Sequence, residues 1–144
     1  MAGIPGNYVL NISVAAWATA QALKVIIVLI TQKKIDFTRF IGAGGMPSSH
    51  SAFVTAMTVG IARVSGMDTP IFAIAVVFAA VVMYDASGVR RAAGEQAKVL
   101  NYMMDNWTNS TPEMFQKNLK ELLGHTPLQV FAGALLGLLL GIIL

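Results

Sequence analysis

The sequence predicts an all-α protein, a polytopic bundle of about four membrane-spanning helices with amphipathic helices on one side. Hydrophobic residues make up 56% of the 144 residues and charged residues only 12%, whereas soluble domains carry about 25% charge. A water-soluble chain of this length could not bury so much apolar surface. The length suits one domain, so we expect a single transmembrane domain over residues 1–144, in which residues 92–123 form a cytoplasmic-side helical insertion.

Two apolar runs in the first half have the composition of membrane spans, which need about 20 mostly apolar residues. The first covers residues 8–31 and the second residues 47–64. Between them lies a basic loop that ends in a glycine-rich turn before Pro47, and glycine and proline both interrupt helices. Pro47 is expected in the first turn of the second helix, where its missing N–H costs nothing.

Two further spans are predicted in the second half. The third covers about residues 70–91, with Thr69 as its N-cap and Pro70 at its first position. The fourth begins with the same Thr-Pro pattern at Thr126 and continues to the end of the sequence. The intervening residues 92–123 are polar enough to lie in water and are typical of one or two amphipathic helices.

The basic residues favour one orientation of this topology. If the spans alternate in direction, the loops at residues 32–47 and 90–126 share a side, and the opposite side carries only Arg63. Positive charges concentrate in the cytoplasmic loops of membrane proteins, so the shared side is expected to face the cytoplasm. The cations on that side are Lys33, Lys34, Arg39, Arg90, Arg91, Lys98, Lys117 and Lys120.

The fourth span carries glycine at every fourth position, namely Gly133, Gly137 and Gly141. Such a stripe of small residues lets two helices approach each other closely. It predicts either close packing within the bundle or a homodimer interface, and the sequence leaves both open.

Polar side chains that are unusual in membrane helices fall at the cytoplasmic end of all four spans. They are Lys24 in the first, Ser48, Ser49 and His50 in the second, Asp85, Arg90 and Arg91 in the third, and His125 before the fourth. Two helix N-termini, with free N–H groups and positive dipole ends, point at the same region. Together with the cations they suit a phosphate group, and the two histidines can serve as nucleophile, base or acid.

The residue types also bear on cofactors and partners. No cluster of carboxylates offers oxygen ligands for Mg²⁺, so we expect metal-free chemistry without a cofactor. The expected partners are a lipid phosphate and the surrounding membrane lipids. In a membrane protein the small net charge of +3 bears on orientation, and no nucleic-acid partner is expected.

Each of these features also has a purely structural explanation. Lys24 and Asp85 could neutralise each other inside the bundle, since pairing is the ordinary remedy for a costly intramembrane charge. The paired arginines could anchor lipid headgroups, the serines could cap a helix, and His125 could be a solvated turn residue. Their convergence on one side favours the functional interpretation.

Four segments resemble one protein family. They are Gly44–Ala52 (GGMPSSHSA), Tyr84–Gly94 (YDASGVRRAAG), Leu123–Pro127 (LGHTP) and Ala20–Lys24 (AQALK). The first resembles the second signature motif of the type 2 phosphatidic acid phosphatases (PAP2), which are related to vanadium haloperoxidases, and all four are similar to the divergent bacterial and plant branch of that family. We therefore expect an integral protein of the bacterial plasma membrane, with its active site on the cytoplasmic face.

The resemblance implies phosphoester hydrolysis through a phosphohistidine. His125 would be the nucleophile, and His50 would protonate the leaving group. The lysine of the family's first motif would be Lys24 or Lys34. The groups that would hold the phosphoryl oxygens are Ser49, Arg39 and one of Arg90 and Arg91, with Ser48 beside them.

Three departures from the family's motifs bear on activity. Arg39 is followed by phenylalanine where the family has proline, and the arginines at 90 and 91 lie over thirty residues before His125, where the family keeps its arginine close. Gln129 occupies a position that is normally acidic. An acidic side chain there would orient the His125 ring and stabilise its positive charge. In serine-protease triads the corresponding loss lowers turnover on the order of 10⁴-fold. We therefore predict a slow or inactive phosphatase whose activity rises in Gln129→Glu.

The leading hypothesis is a membrane phosphatase that hydrolyses a lipid phosphate or diphosphate, a phosphoric monoester hydrolase similar to acid phosphatases. The alternative is a non-catalytic lipid-phosphate binder, or a transport or scaffold protein on the same fold, which the missing motif elements favour. A metal- or vanadate-dependent enzyme is the third hypothesis. Phosphate release separates the first two, and metal analysis tests the third.

Overall fold

The computed structural model describes residues 6–33, 45–106 and 124–144. The elements in these ranges are all α-helices: α1 (Tyr8–Gln32), α2 (Ser49–Ser65), α3 (Pro70–Ser87), α4 (Val89–Asn106) and α5 (Pro127–Ile143). The predicted all-α class is confirmed for this part of the chain. Two stretches within it are long and apolar enough to cross a membrane, Tyr8–Thr31 and Pro70–Met104, and Pro127–Ile143 is a shorter apolar helix. The number of four spans remains a prediction.

Helix starts follow the predicted capping residues in most cases. The hydroxyl of Thr69 accepts a hydrogen bond from the backbone N–H of Phe72, and Pro70 opens α3. Thr126 caps α5 in the same way, as predicted. The start of α2 differs from the prediction, because the helix begins at Ser49 with Ser48 as its N-cap. Pro47 therefore lies before the cap, after a cis peptide bond, and not in the first helical turn.

The third predicted helix is too long at its C-terminal end. The structure ends α3 at Ser87 and starts α4 at Val89, with Gly88 between them. Glycine is a poor helix former, and a side chain at position 88 would lie 3.0 Å from the Tyr84 carbonyl oxygen. The paired arginines thus belong to the first turn of α4, an amphipathic helix that covers part of the predicted insertion at 92–123.

The centre of the bundle is α2, which packs against α1, α3 and α5. Its contact with α5 uses the glycine stripe: Gly133 lies against the backbone of Ser48, and Gly137 lies against the backbone of Ala52. Gly141 continues the row, because a side chain there would come within 2.8 Å of Val59. The three glycines are buried within one chain, which corresponds to the first of the two predicted alternatives, close packing within the bundle. A homodimer through the same face would have to displace α2.

Small side chains fill the interior and large ones cover the outside. The core cluster consists of Ala16, Ala20, Ala52 and Ala56, with Leu136 and Leu140 packed against it. Large apolar residues point outward on α3 and α5, where Ile74 is 69% exposed and Phe131 is 66% exposed. Small-residue interfaces are typical of helices packed within lipid, where burial of large apolar groups adds no driving force. The outer surface of the bundle therefore suits lipid.

Replacing Gly137 with alanine is expected to destabilise the bundle. The added methyl group would collide with the Ala52 carbonyl oxygen, and overpacking of this kind typically costs about 1–3 kcal/mol. Thermal unfolding of the purified protein in detergent measures the effect. Leu139→Ala on the outward face, where Leu139 is 49% exposed, is the control and should change stability little. Equal stability of both variants would contradict the close α2–α5 contact.

Candidate functional site

Three helix ends meet at one end of the bundle. The backbone N–H of Ser48, at the start of α2, donates to the carbonyl oxygen of Gln129 in the first turn of α5 (2.9 Å). The N–H of His125, just before α5, donates to the carbonyl oxygen of Ala86 near the end of α3 (2.9 Å). Two helix N-termini, each with a positive dipole end, therefore border the same space.

The ammonium group of Lys24 reaches this space from α1. Lys24 is only 2% exposed, and its Nζ donates to the hydroxyl of Ser49 at 3.2 Å. The described residues give it no carboxylate partner, since Asp85 forms its ion pair with Arg90 instead (2.7 Å). The pairing of Lys24 with Asp85, which the sequence left open, is thus not the arrangement found. A buried cation beside a hydroxyl is suited to an anion.

The two histidines face the same space. Their ring centroids lie 6.5 Å apart at an interplanar angle of 59°, so one small group can contact both rings. His125 is buried, at 4% exposure, and is not a solvated turn residue. Burial lowers the pKa of His125, and the positive charges of Lys24 and His50 act in the same direction, against hydrogen bonds with Gln129 and with the Gly45 backbone that raise it.

Gln129 holds the ring of His125 in a defined protonation pattern. Its Oε1 lies 3.2 Å from His125 Nδ1 and accepts a hydrogen bond from the backbone N–H of Thr126 at 3.1 Å. Because that N–H can only donate, the amide oxygen must face it, and the same oxygen must then accept a proton from Nδ1. The proton of the neutral ring therefore sits on Nδ1, and Nε2 carries the free lone pair of a nucleophile.

The two arginines are far from His125 in the sequence but close to it in the structure. Gly124 lies against the backbone of Arg90 and Arg91, where any side chain would collide. Arg90 forms its ion pair with Asp85, and the charges of both act on His50. Both arginine side chains are exposed, so exposure does not distinguish them. Of the two, Arg90 is the one whose charge acts on a residue of the site, His50.

Most of the predicted site residues come together. Those that the structure places around the common space are Lys24, Ser48, Ser49, His50, Asp85, Arg90, His125 and Gln129. The Ser48 hydroxyl accepts from Ser51, so Ser48 serves as a helix cap. Lys34 and Arg39 lie outside the described residues. Sequence reasoning missed the backbone of Gly45, whose one signal was its place in the glycine-rich turn.

The described residues also show whether side chains that could bind a metal ion lie close together. Within residues 6–33, 45–106 and 124–144, no three His, Cys, Asp or Glu side chains come close enough together to hold a metal ion. The polar groups of the site are instead an ammonium, a guanidinium paired with one carboxylate, hydroxyls, an amide and two imidazoles. This set can bind an anion and transfer a proton or a phosphoryl group.

A bundle that exposes large apolar side chains and brings cations and histidines together at one end defines a helical membrane protein with a polar site. The chain belongs to the Divergent PAP2 family, whose model matches residues 6–140. It is 45% identical over 148 residues to the uncharacterized membrane protein YuiD of Bacillus subtilis strain 168, covering 96% of this chain and 94% of that protein. No solved structure matches the chain. The family resemblance of the sequence motifs is thereby confirmed.

Proposed function

We propose that this protein is a membrane-embedded phosphatase that hydrolyses a lipid phosphate or diphosphate through a phosphohistidine at His125. The observation that carries the proposal is the burial of Lys24 beside Ser49 and the histidine pair, with no ion pair from Lys24 to a carboxylate among the described residues. A buried charge is costly unless an opposite charge compensates it. A phosphoryl group between Lys24 and the two rings supplies that compensation.

The proposed reaction has two steps. First, the lone pair of His125 Nε2 attacks phosphorus, the bond from phosphorus to the lipid oxygen breaks, and His50 gives its proton to the leaving oxygen. Water then attacks the phosphohistidine, His50 takes up the proton of the water, and inorganic phosphate leaves. Lys24, Arg90 and the α2 and α5 N-termini stabilise the charge of the phosphoryl oxygens throughout.

The proposal includes a topology with four spans. α1 has 25 residues, whereas α3 has 18 and α2 and α5 have 17 each. At 1.5 Å per residue the three shorter helices extend about 25–27 Å, a few ångströms less than a typical hydrocarbon core, which local thinning of the bilayer accommodates. The site then faces the cytoplasm, on the side where the basic residues concentrate, in a bacterial plasma membrane.

The experiment that tests this function measures phosphate release from a panel of substrates by the purified protein in detergent. The panel contains a phosphatidate, a lysophosphatidate, an isoprenyl diphosphate and the chain-free p-nitrophenyl phosphate. A radiolabelled substrate is quenched in base during turnover, because phosphohistidine is stable in base and labile in acid. We expect release from at least one lipid and a base-stable label on the peptide that contains His125. A label on another residue would contradict the mechanism.

Replacing Gln129 with glutamate is expected to raise turnover about tenfold. The Gln129 amide oxygen already accepts a hydrogen bond from Nδ1–H of His125 and so fixes the tautomer. The added transition-state stabilisation is therefore limited to the difference between a neutral and a charged hydrogen bond, about 1.4 kcal/mol. This estimate is smaller than the protease comparison suggests, because there the tautomer is lost as well. Gln129→Met, which removes both hydrogen bonds, should lower turnover.

The same substitution should move the pH profile in a defined direction. Attack requires unprotonated His125, so the rate rises with pH through the pKa of this residue, and burial holds that pKa below its ordinary value. A carboxylate at position 129 raises the pKa of His125, and the acidic limb of the profile should shift to higher pH. A folded Gln129→Glu that is no faster and has an unchanged profile would contradict the role assigned to this position.

A non-catalytic lipid-phosphate binder is the second candidate. The neutral amide of Gln129 favours it, since a phosphohistidine intermediate gains from a negative charge behind the ring. In the substrate panel, tight lipid-phosphate binding without release by either wild type or Gln129→Glu would support this candidate over the phosphatase.

A further inference from the structure

An apolar groove runs beside the histidine pair. It lies between α1, α2 and α3 and has a volume of about 340 Å³, which is within the range of small-molecule sites. Its lining residues are Trp17, His50, Phe53, Val54, Phe78 and Val82. His50 is the one polar residue among them. The groove and the polar site therefore share a side chain.

The groove leads from the site toward the middle of the bundle. On α2, Phe53 and Val54 follow His50 by three and four positions, so they lie one turn deeper on the same face of the helix. On α1, Trp17 lies seven residues before Lys24, which corresponds to about 10 Å along the axis. Val54 is buried at 3% exposure and forms the floor, whereas Phe78 is 50% exposed and lies at the open side.

We propose that this groove binds the hydrocarbon chain of a phosphate monoester while the phosphate group lies between His50 and His125. The inference rests on the proposed function and extends it by naming where the substrate's chain is held. The groove opens between α1 and α3, where Trp17 is 41% and Phe78 is 50% exposed, so the chain enters sideways from the lipid without passing through water. His50 stands where the chain joins the headgroup, which is where the leaving oxygen needs its proton.

A second apolar hollow shows why proximity to the site matters. It is larger, about 460 Å³, but it is lined by one helix, α3, through Ala73, Ile74, Val77, Phe78 and Val81. No residue of the polar site lines it, so a chain lying there would not present its phosphate to the histidines. Phe78 lines both hollows, so the matched control is taken from the residues that line the second hollow alone.

The test uses hexadecyl phosphate that carries a photoreactive diazirine in the middle of its chain. The probe is crosslinked to the protein in phosphatidylcholine vesicles, and labelled residues are located by mass spectrometry. Val82→Trp fills the groove, and Val81→Trp introduces the same side chain at the next position, which is 60% exposed and faces the other hollow. Unlabelled hexadecyl phosphate and hexadecanol serve as competitors with and without the phosphate.

We expect labelling of groove residues that hexadecyl phosphate prevents and hexadecanol does not. Val82→Trp should reduce it roughly tenfold, the effect of displacing about two methylene groups, and Val81→Trp should leave it unchanged. Labelling confined to the residues that line only the other hollow, such as Ile74, Val77 and Val81, or equal labelling in both variants, would overturn the proposal. Groove labelling without phosphate release from any lipid would contradict the phosphatase and retain the groove. Phosphate release that Val82→Trp does not alter would contradict the groove and support the phosphatase.

Discussion

Replacing His125 with alanine is expected to lower phosphate release by at least about 10⁴-fold, because a mechanism with a covalent intermediate loses its nucleophile. His125 is fixed on three sides: its N–H binds Ala86, its Nδ1 faces Gln129, and its ring lies within reach of His50. The measurement is phosphate release from the best lipid of the panel, together with loss of the base-stable phosphoenzyme.

A comparison with His50→Ala separates the roles of the two histidines. A general acid matters most when the leaving group is poor. His50→Ala should therefore lower release from an alkyl phosphate on the order of 10²–10⁴-fold and affect p-nitrophenyl phosphate much less, since nitrophenolate leaves without a proton. His125→Ala should abolish both. Equal losses on both substrates in His50→Ala, with the protein still folded, would contradict its assignment as the acid.

Replacing Lys24 with methionine is expected to lower kcat/KM and to raise stability at the same time. The ammonium group is buried without a carboxylate partner among the described residues, so its removal relieves a desolvation penalty. In the reaction the same charge stabilises the phosphoryl oxygens, and losing one such contact typically costs about 10²–10³-fold in rate. Thermal unfolding in phosphate-free buffer and phosphate-release kinetics measure the two effects.

Lys33→Met is the matched control for this experiment. Lys33 ends the same helix, and its side chain is exposed, so the substitution removes the same charge without changing the site. It should change neither stability nor kcat/KM appreciably. If Lys24→Met unfolds at a lower temperature than wild type, Lys24 is a structural residue and the anion-binding role fails. Unchanged kinetics in a folded Lys24→Met would contradict that role directly.

Local chemistry determined a large part of this protein from the sequence alone. The Thr-Pro pairs fixed the starts of α3 and α5, because the threonine hydroxyl caps the free N–H groups and proline needs none. Low charge and long apolar runs identified a helical membrane protein, and the motif around His50 identified the family. Boundaries failed where the local signal was ambiguous, as at Pro47 and at Gly88.

Only the tertiary structure decided which side chains meet. The partner of Lys24 could not be predicted from the sequence, because α1 and α3 are apolar on nearly all sides and no periodic pattern shows which face of each helix points inward. In the structure Lys24 contacts Ser49, and Asp85 pairs with Arg90. Nor could it tell whether the α5 glycines face another helix or another chain. The groove at His50 likewise depends on three helices that are distant in sequence. A pattern specifies the face of each helix, whereas contact between faces depends on how all the helices pack.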